Sequence, residues 1–151
     1  MNIAVIGGYD CSQRTYNIAE RLGKLIAQER WILICGGGSG VMEAACKGAK
    51  SKGGLTVGIL PSYKGQEANP YLDVKISTGL GYARNILVVR AAEAVIAVNG
   101  KYGTLSEIAF ALNEEKPVVG IHTWDIKGVV RVRTPQEAVR LIKRQLRKNK
   151  E

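Results

Sequence analysis

The stretch Ala94-Val95-Ile96-Ala97-Val98 is apolar at every position, with no alternation between apolar and polar residues. Side chains of a strand point to opposite faces in turn, so a strand of this kind must be covered on both faces. Similar apolar-rich runs occur at Ile3–Ile6, Trp31–Cys35, Leu55–Leu60 and Pro117–Ile121. Between them lie segments with apolar residues at helical spacing, namely Arg14–Gln28, Val41–Ser51, Tyr82–Ala92 and Leu105–Asn113. Val74–Ser77 reads as a short strand and Val129–Arg133 as an edge strand. The alternation predicts an α/β fold: a mainly parallel sheet with helices on both faces. A chain of 151 residues with 46% hydrophobic content is expected to form one well-cored domain over residues 1–151.

The net charge is +9, and its distribution matters more than its size. From Lys127 to Glu151 there are nine Lys/Arg against two Glu, so this tail carries +7 of the excess. Thr134-Pro135-Gln136-Glu137 reads as a capping box with proline in the first helical turn. The basic helix after it, at about 135–148, places Ala138, Leu141, Ile142 and Leu146 on one stripe. Cations crowding its C-terminal end match the helix dipole, and the alternative is non-specific attraction to RNA. Cys11, Cys35 and Cys46 lack C-x-x-C spacing and form neither a disulfide framework nor a zinc site; Cys35 and Cys46 read as core packing. His122, the single histidine, reads as structural. With no signal-like segment and no membrane-length apolar window, a reducing cytoplasm is the expected setting.

In open parallel sheets, ligands bind beyond the carboxyl ends of strands where the winding reverses. Three glycine turns leave strands here: Gly7-Gly8, Gly36-Gly37-Gly38-Ser39-Gly40, and the stretch from Asn99 to Glu107 containing Gly100, Lys101, Tyr102, Gly103 and Thr104. Three such turns at one sheet edge argue for an anionic ligand on free backbone N–H groups. Dinucleotide binding does not fit, because G-x-G-x-x-G would need glycine at Val41 or Glu43 and no acidic residue ends Leu55–Leu60. No Walker sequence occurs either. A helix N-terminus contributes only about 0.3–1 kcal/mol to holding an anion, up to ~2 when partly buried, so two turns fall short of micromolar affinity. A flat ring and a guanidinium would supply the remainder, and Arg84, in Gly79-Leu80-Gly81-Tyr82-Ala83-Arg84-Asn85, is the best donor. The irregular stretch Pro61–Asp73 reads as a loop over the strand ends, either a ligand cover or a plain connection.

Gly36-Gly37-x-x-Gly40-x-Met42 resembles the G-G-x-x-G-x-M turn of the Lonely Guy, or lysine decarboxylase-like, phosphoribohydrolases. Gly100-x-x-Gly103-Thr104-x-x-Glu107 resembles their P-G-G-x-G-T-x-x-E, and the likeness covers roughly residues 2–125. Gly81-Tyr82-Ala83-Arg84-Asn85 and Val41-Met42-Glu43-Ala44-Ala45-Cys46 look more like a sister group that includes the molybdenum-cofactor carrier protein. The resemblance implies a Rossmann-like, doubly wound fold, a homodimer or larger homo-oligomer, and a pocket for a phosphate-bearing heterocycle. Arg84 and Glu107 match the arginine and glutamate that release a base from a nucleoside 5′-monophosphate. On that reading Arg84 holds the phosphate, while Glu107 stabilises positive charge on the ribose and orients water.

Departures from the hydrolase pattern bear on catalysis. Asn99 replaces the proline, Lys101 the second glycine, and Tyr82 and Asn85 stand in place of the usual His and Lys. Three functions therefore remain open: a phosphoribohydrolase, a non-catalytic carrier of an AMP-like nucleotide or phosphorylated pterin, and a basic RNA-associating module resting only on the tail. None calls for a metal or a resident cofactor.

Overall fold

A computed structural model describes residues 1–148; Asn149, Lys150 and Glu151 at the end of the basic tail lie outside the described residues. Seven strands form one parallel sheet: β1 (Asn2–Gly7), β2 (Ile32–Cys35), β3 (Thr56–Leu60), β4 (Val74–Ser77), β5 (Ala94–Val98), β6 (Val118–Ile121) and β7 (Val129–Val132). Their order is β4-β3-β2-β1-β5-β6-β7, so the chain winds outward from β1 in one direction, then returns to its other side. This is the doubly wound, Rossmann-like arrangement. The reversal lies between β1 and β5, where Gly7 pairs with Val98.

Side-chain alternation along the strands divides the core in two. Ile3, Val5, Leu33, Cys35, Ile96 and Val98 face a layer built from α1 (Gln13–Gln28), α2 (Val41–Ser51) and α5 (Pro135–Lys148). Ala4, Ile6, Ile34, Val95 and Ala97 face α3 (Asn85–Arg90) and α4 (Tyr102–Asn113). Every residue of β5 is buried, as its unbroken apolar run requires. The edge strand β4, by contrast, is exposed throughout.

The termini of the outer helices follow their sequences. Ser12 Oγ caps α1 by accepting from Thr15 N at 3.2 Å. At α5 the capping box closes both ways, with Thr134 Oγ1 accepting from Glu137 N at 3.2 Å and Glu137 Oε2 accepting from Thr134 N at 3.3 Å. Ala138, Ile142 and Leu146 are buried under the helix, with Leu141 half-buried beside them. Burial of that stripe is the stabilising term for a helix otherwise covered in charge.

One element differs from the expected pattern. The segment Tyr82–Ala92 is not a single α-helix: Gly81–Arg84 forms a turn of 3-10 helix, and α3 runs only from Asn85 to Arg90. Gly79 and Gly81 both take left-handed backbone angles, and no residue of the 3-10 turn is buried. A turn without an apolar face has nothing to pack that would extend it into the α-helix.

Helices α1 and α2 cross at small residues. A methyl group on Gly23 would overlap the Ala45 carbonyl, and one on Gly48 the Glu20 carbonyl. The backbones touch there, so Gly48→Ala has no flexible side chain to displace. It is expected to lower stability by about 1–3 kcal/mol, seen as a reduced urea midpoint with unchanged slope; an unaltered midpoint would show that the helices separate freely.

Candidate functional site

Beyond the carboxyl ends of β1 and β5, helices α1 and α4 leave towards opposite faces of the sheet and open a crevice between them. A cavity of about 440 Å³ occupies it, lined by Gly7 to Asp10, Met42, Tyr82, Arg84, Asn85, Lys101 to Thr104, Ser106 and Glu107. The topology brings together four segments far apart in sequence.

The phosphate-turn candidate, Asn99 to Thr104, is shaped by two left-handed residues, Asn99 (φ 52°) and Gly100 (φ 99°). At Gly100 a side chain would also collide with Thr104, so glycine is required twice over. Lys101 (φ −115°, ψ −144°) sits at the N-cap of α4, where no side chain accepts from the first turn. The first helical N–H groups are therefore available to a ligand. The turn is fixed from behind: Trp124 Nε1 donates to the Lys101 carbonyl at 3.0 Å, and Thr123 Oγ1 to the Asn99 carbonyl at 2.6 Å. Tyr102 packs its ring 5.9 Å from that of Trp124. His122 precedes this pair and is exposed.

Arg84 ends the 3-10 turn and reaches across the second glycine loop. A Cβ on Gly36 would overlap its Nη1, so a side chain there would displace the guanidinium from this position. Its Nε is buried and has no hydrogen-bond partner, and no carboxylate lies within ion-pairing distance among the described residues. Beside it, Asn85 Nδ2 donates to Ser106 Oγ at 3.0 Å, and Ser106 Oγ to the Gly103 carbonyl at 2.6 Å. This chain of bonds ties the start of α3 to the first turn of α4.

Glu107, one turn into α4, is only 6% exposed and faces the same cavity. Burial pushes its carboxyl up to about 8, and the Arg84 guanidinium only partly opposes that shift. At neutral pH Glu107 is therefore a protonated acid that can donate a hydrogen bond.

Of the residues singled out from sequence, Gly7, Gly8, Met42, Arg84, Lys101, Tyr102, Gly103, Thr104 and Glu107 line the cavity. Gly36, Gly37, Gly40 and Gly100 stand behind its wall. Gly37 takes φ 77° and, with Gly38, offers its carbonyl to Asn69 Nδ2, so the loop Pro61–Asp73 braces this turn and does not line the cavity. Gly40 packs on Gly8, whose carbonyl accepts from Val41 N at 3.0 Å. Ser39 Oγ donates to the Tyr9 carbonyl at 2.7 Å. Tyr9, Asp10 and Ser106 also line the cavity, although no motif in the sequence singles them out. The nearest signal was position, since Tyr9 and Asp10 follow directly on the first glycine turn. Cys35 and Cys46 are buried in the core with their sulfurs 3.5 Å apart, away from the cavity lining.

A model of the SLOG cluster4 family matches residues 1–149. The chain belongs to the SLOG cluster4 family. It is similar to the molybdenum cofactor binding protein of Rippkaea orientalis, with 38% identity, a TM-score of 0.91 and 96% of each chain covered. It is similar too to the molybdenum cofactor carrier protein of Chlamydomonas reinhardtii, with 36% identity, a TM-score of 0.87, and 96% and 98% coverage of this chain and that one. A cytokinin riboside 5′-monophosphate phosphoribohydrolase of Mycobacterium tuberculosis is 31% identical over 117 residues, 71% of this chain and 62% of its own length. The likeness thus spans both the Lonely Guy phosphoribohydrolases and their carrier sister group. Among the described residues of this SLOG cluster4 member, no helix is long and apolar enough to cross a membrane.

The raised carboxyl of Glu107 fixes a pH signature. In the unfolded chain a Glu ionises near its ordinary value of 4.5, whereas in the folded chain it holds its proton up to about 8. The unfolded state therefore binds fewer protons between these values, and stability contributed by the neutral acid is lost as pH rises through that window. Glu107→Gln, which cannot ionise, is expected to gain on the wild type steadily from pH 5 to pH 8 in urea unfolding. A constant difference across that range would show that Glu107 is ionised in the folded protein.

Proposed function

We propose that this protein binds a phosphorylated flat heterocycle, a nucleoside 5′-monophosphate or a phosphorylated pterin, and retains it without cleavage at neutral pH. The observation that carries the reading is Arg84: a guanidinium with a buried, unpartnered Nε on the wall of a cavity it shares with the uncapped start of α4. A buried donor without a partner is costly, and a turn of the guanidinium into the cavity would bring it to a phosphate oxygen that also meets the helix N–H groups. Lys101 adds a second cation and Thr104 a hydroxyl on the same wall. The names of the Rippkaea and Chlamydomonas proteins support a phosphorylated pterin as cargo.

Glu107 separates retention from hydrolysis. Cleaving an N-glycosidic bond builds positive charge on the ribose, which an ionised carboxylate stabilises and a neutral acid does not. With its carboxyl protonated up to about 8, Glu107 is suited at neutral pH to donate to a ligand oxygen or ring nitrogen. Phosphoribohydrolase activity is the second reading, favoured by the meeting of Arg84 and Glu107 in one cavity and by the Mycobacterium tuberculosis relative. It would emerge as Glu107 ionises.

Calorimetric titration with ribose 5-phosphate tests the phosphate subsite. Arg84→Ala is expected to weaken binding by about 10–100-fold, the loss of one charge-assisted contact; equal affinity of variant and wild type would overturn the assignment. Incubation with AMP and GMP, followed by chromatography of free base, tests the chemistry. The nucleotides are expected intact at pH 7, with any base release rising through pH 8 and abolished in Glu107→Ala. Rapid release at pH 6 that survives Glu107→Ala would sink the role given to that residue.

A further inference from the structure

The cavity carries one charge that works against an anion. Asp10 lines it two residues beyond Gly8, and among the described residues its carboxylate has neither an ion-pair nor a hydrogen-bond partner. Arg84, Lys101 and the start of α4 all favour negative charge on the ligand, whereas a carboxylate in the same cavity lowers affinity for a ligand anionic throughout. It favours a ligand that is bipolar, with N–H donors at the end away from its phosphate. The chain geometry permits that separation. Gly8 packs beside Gly100 of the phosphate turn, and two residues of backbone carry Asp10 up to ~7 Å further.

What lies around Asp10 suits a flat ring. Tyr9, Tyr82 and Tyr102 line the cavity while remaining 71%, 84% and 80% exposed. Aromatic rings left open at a cavity rim are stacking surfaces for a heterocycle and are indifferent to which heterocycle it is. Choice among rings falls to the polar group beside them. A carboxylate is acceptor-only, with two oxygens side by side, and it matches an edge bearing a ring N–H next to an exocyclic NH₂. The 2-amino-4-oxopyrimidine ring shared by guanine and pterins presents that pair. Adenine offers one NH₂ beside a ring nitrogen that is itself an acceptor and would face the carboxylate unfavourably.

We infer that Asp10 is the specificity-determining residue of this cavity, selecting phosphorylated 2-amino-4-oxo heterocycles over 6-aminopurine nucleotides. This rests on the binding reading given above and narrows its ligand class. Tyr9, Tyr82 and Tyr102 hold the ring by stacking, while Asp10 reads its edge.

The test is calorimetric titration of the full chain and of Asp10→Asn with GMP, IMP, AMP and ribose 5-phosphate. The wild type is expected to bind GMP about 10–100-fold tighter than AMP, with IMP, which keeps the ring N–H but lacks the amino group, between them. Asp10→Asn should bring GMP to the level of AMP, while ribose 5-phosphate, freed of a like charge, should bind no more weakly than to the wild type. Asp10 is exposed, so the variant should melt at the wild-type temperature, which confirms its fold. Equal affinities for GMP and AMP in the wild type, or a preference that survives in Asp10→Asn, would overturn the inference while leaving phosphate binding intact. Failure of ribose 5-phosphate and all three nucleotides to bind would overturn the inference and the binding reading together.

Discussion

The pairing of β1 with β5 is the constraint on which the rest of this molecule depends. These strands are adjacent in the sheet although most of the chain's first half is wound between them. Because the winding reverses at that pair, the helix after β1 packs on one face and the helix after β5 on the other. Their starting ends diverge, and the space between them cannot be filled by either helix. The cavity is a consequence of topology before it is a property of any side chain. Residues remote in sequence, such as Asp10, Arg84 and Glu107, meet there because the strands that deliver them end on one edge.

Within that space the two central ionisable groups do not neutralise each other. Arg84 and Glu107 share the cavity, yet burial holds the carboxyl protonated up to about 8. An ion pair between them would leave the guanidinium satisfied and the cavity electrically quiet. With Glu107 neutral, the positive charge of Arg84 stays available to an anion from outside. The same burial that removes Glu107 as a counter-ion also removes it, at neutral pH, as a stabiliser of developing positive charge. Both consequences support the proposed reading of binding ahead of bond cleavage.

Much of the architecture was legible because its signals are local. The unbroken apolar run of β5 and the stripe on α5 each state their own burial, and the structure buries them; the capping box at Thr134–Glu137 closes at the exposed start of α5. The break between Gly81–Arg84 and α3 was less legible, since Tyr82, Ala83 and Arg84 are compatible with a helix and only the absence of a packing partner stops it. In the candidate site, glycine spacing marked the turns but not their division of labour. Gly36 lies beneath Arg84 and Gly40 against Gly8, so these glycines shape the wall from behind. That distinction arises from contacts over dozens of residues. The same is true of Trp124, whose indole N–H supports the candidate phosphate turn from a loop with no motif of its own.

Lys101, where the hydrolase pattern has its second glycine, could have obstructed the turn or merely altered its charge. Backbone geometry decides between these. The left-handed angles fall on Asn99 and Gly100, while Lys101 has a negative φ, outside the left-handed region that favours glycine. The substitution therefore puts no side chain on a left-handed residue, and the cavity beside it remains open. What changes is electrostatic: an exposed ammonium stands at the mouth of the proposed phosphate subsite. The phosphate of a nucleotide keeps its charge throughout cleavage of the glycosidic bond, so a cation acting on it stabilises ground state and transition state alike. Such uniform binding tightens the complex without accelerating the chemical step. A lysine there is thus more useful to a protein that must hold its ligand than to one that must turn it over.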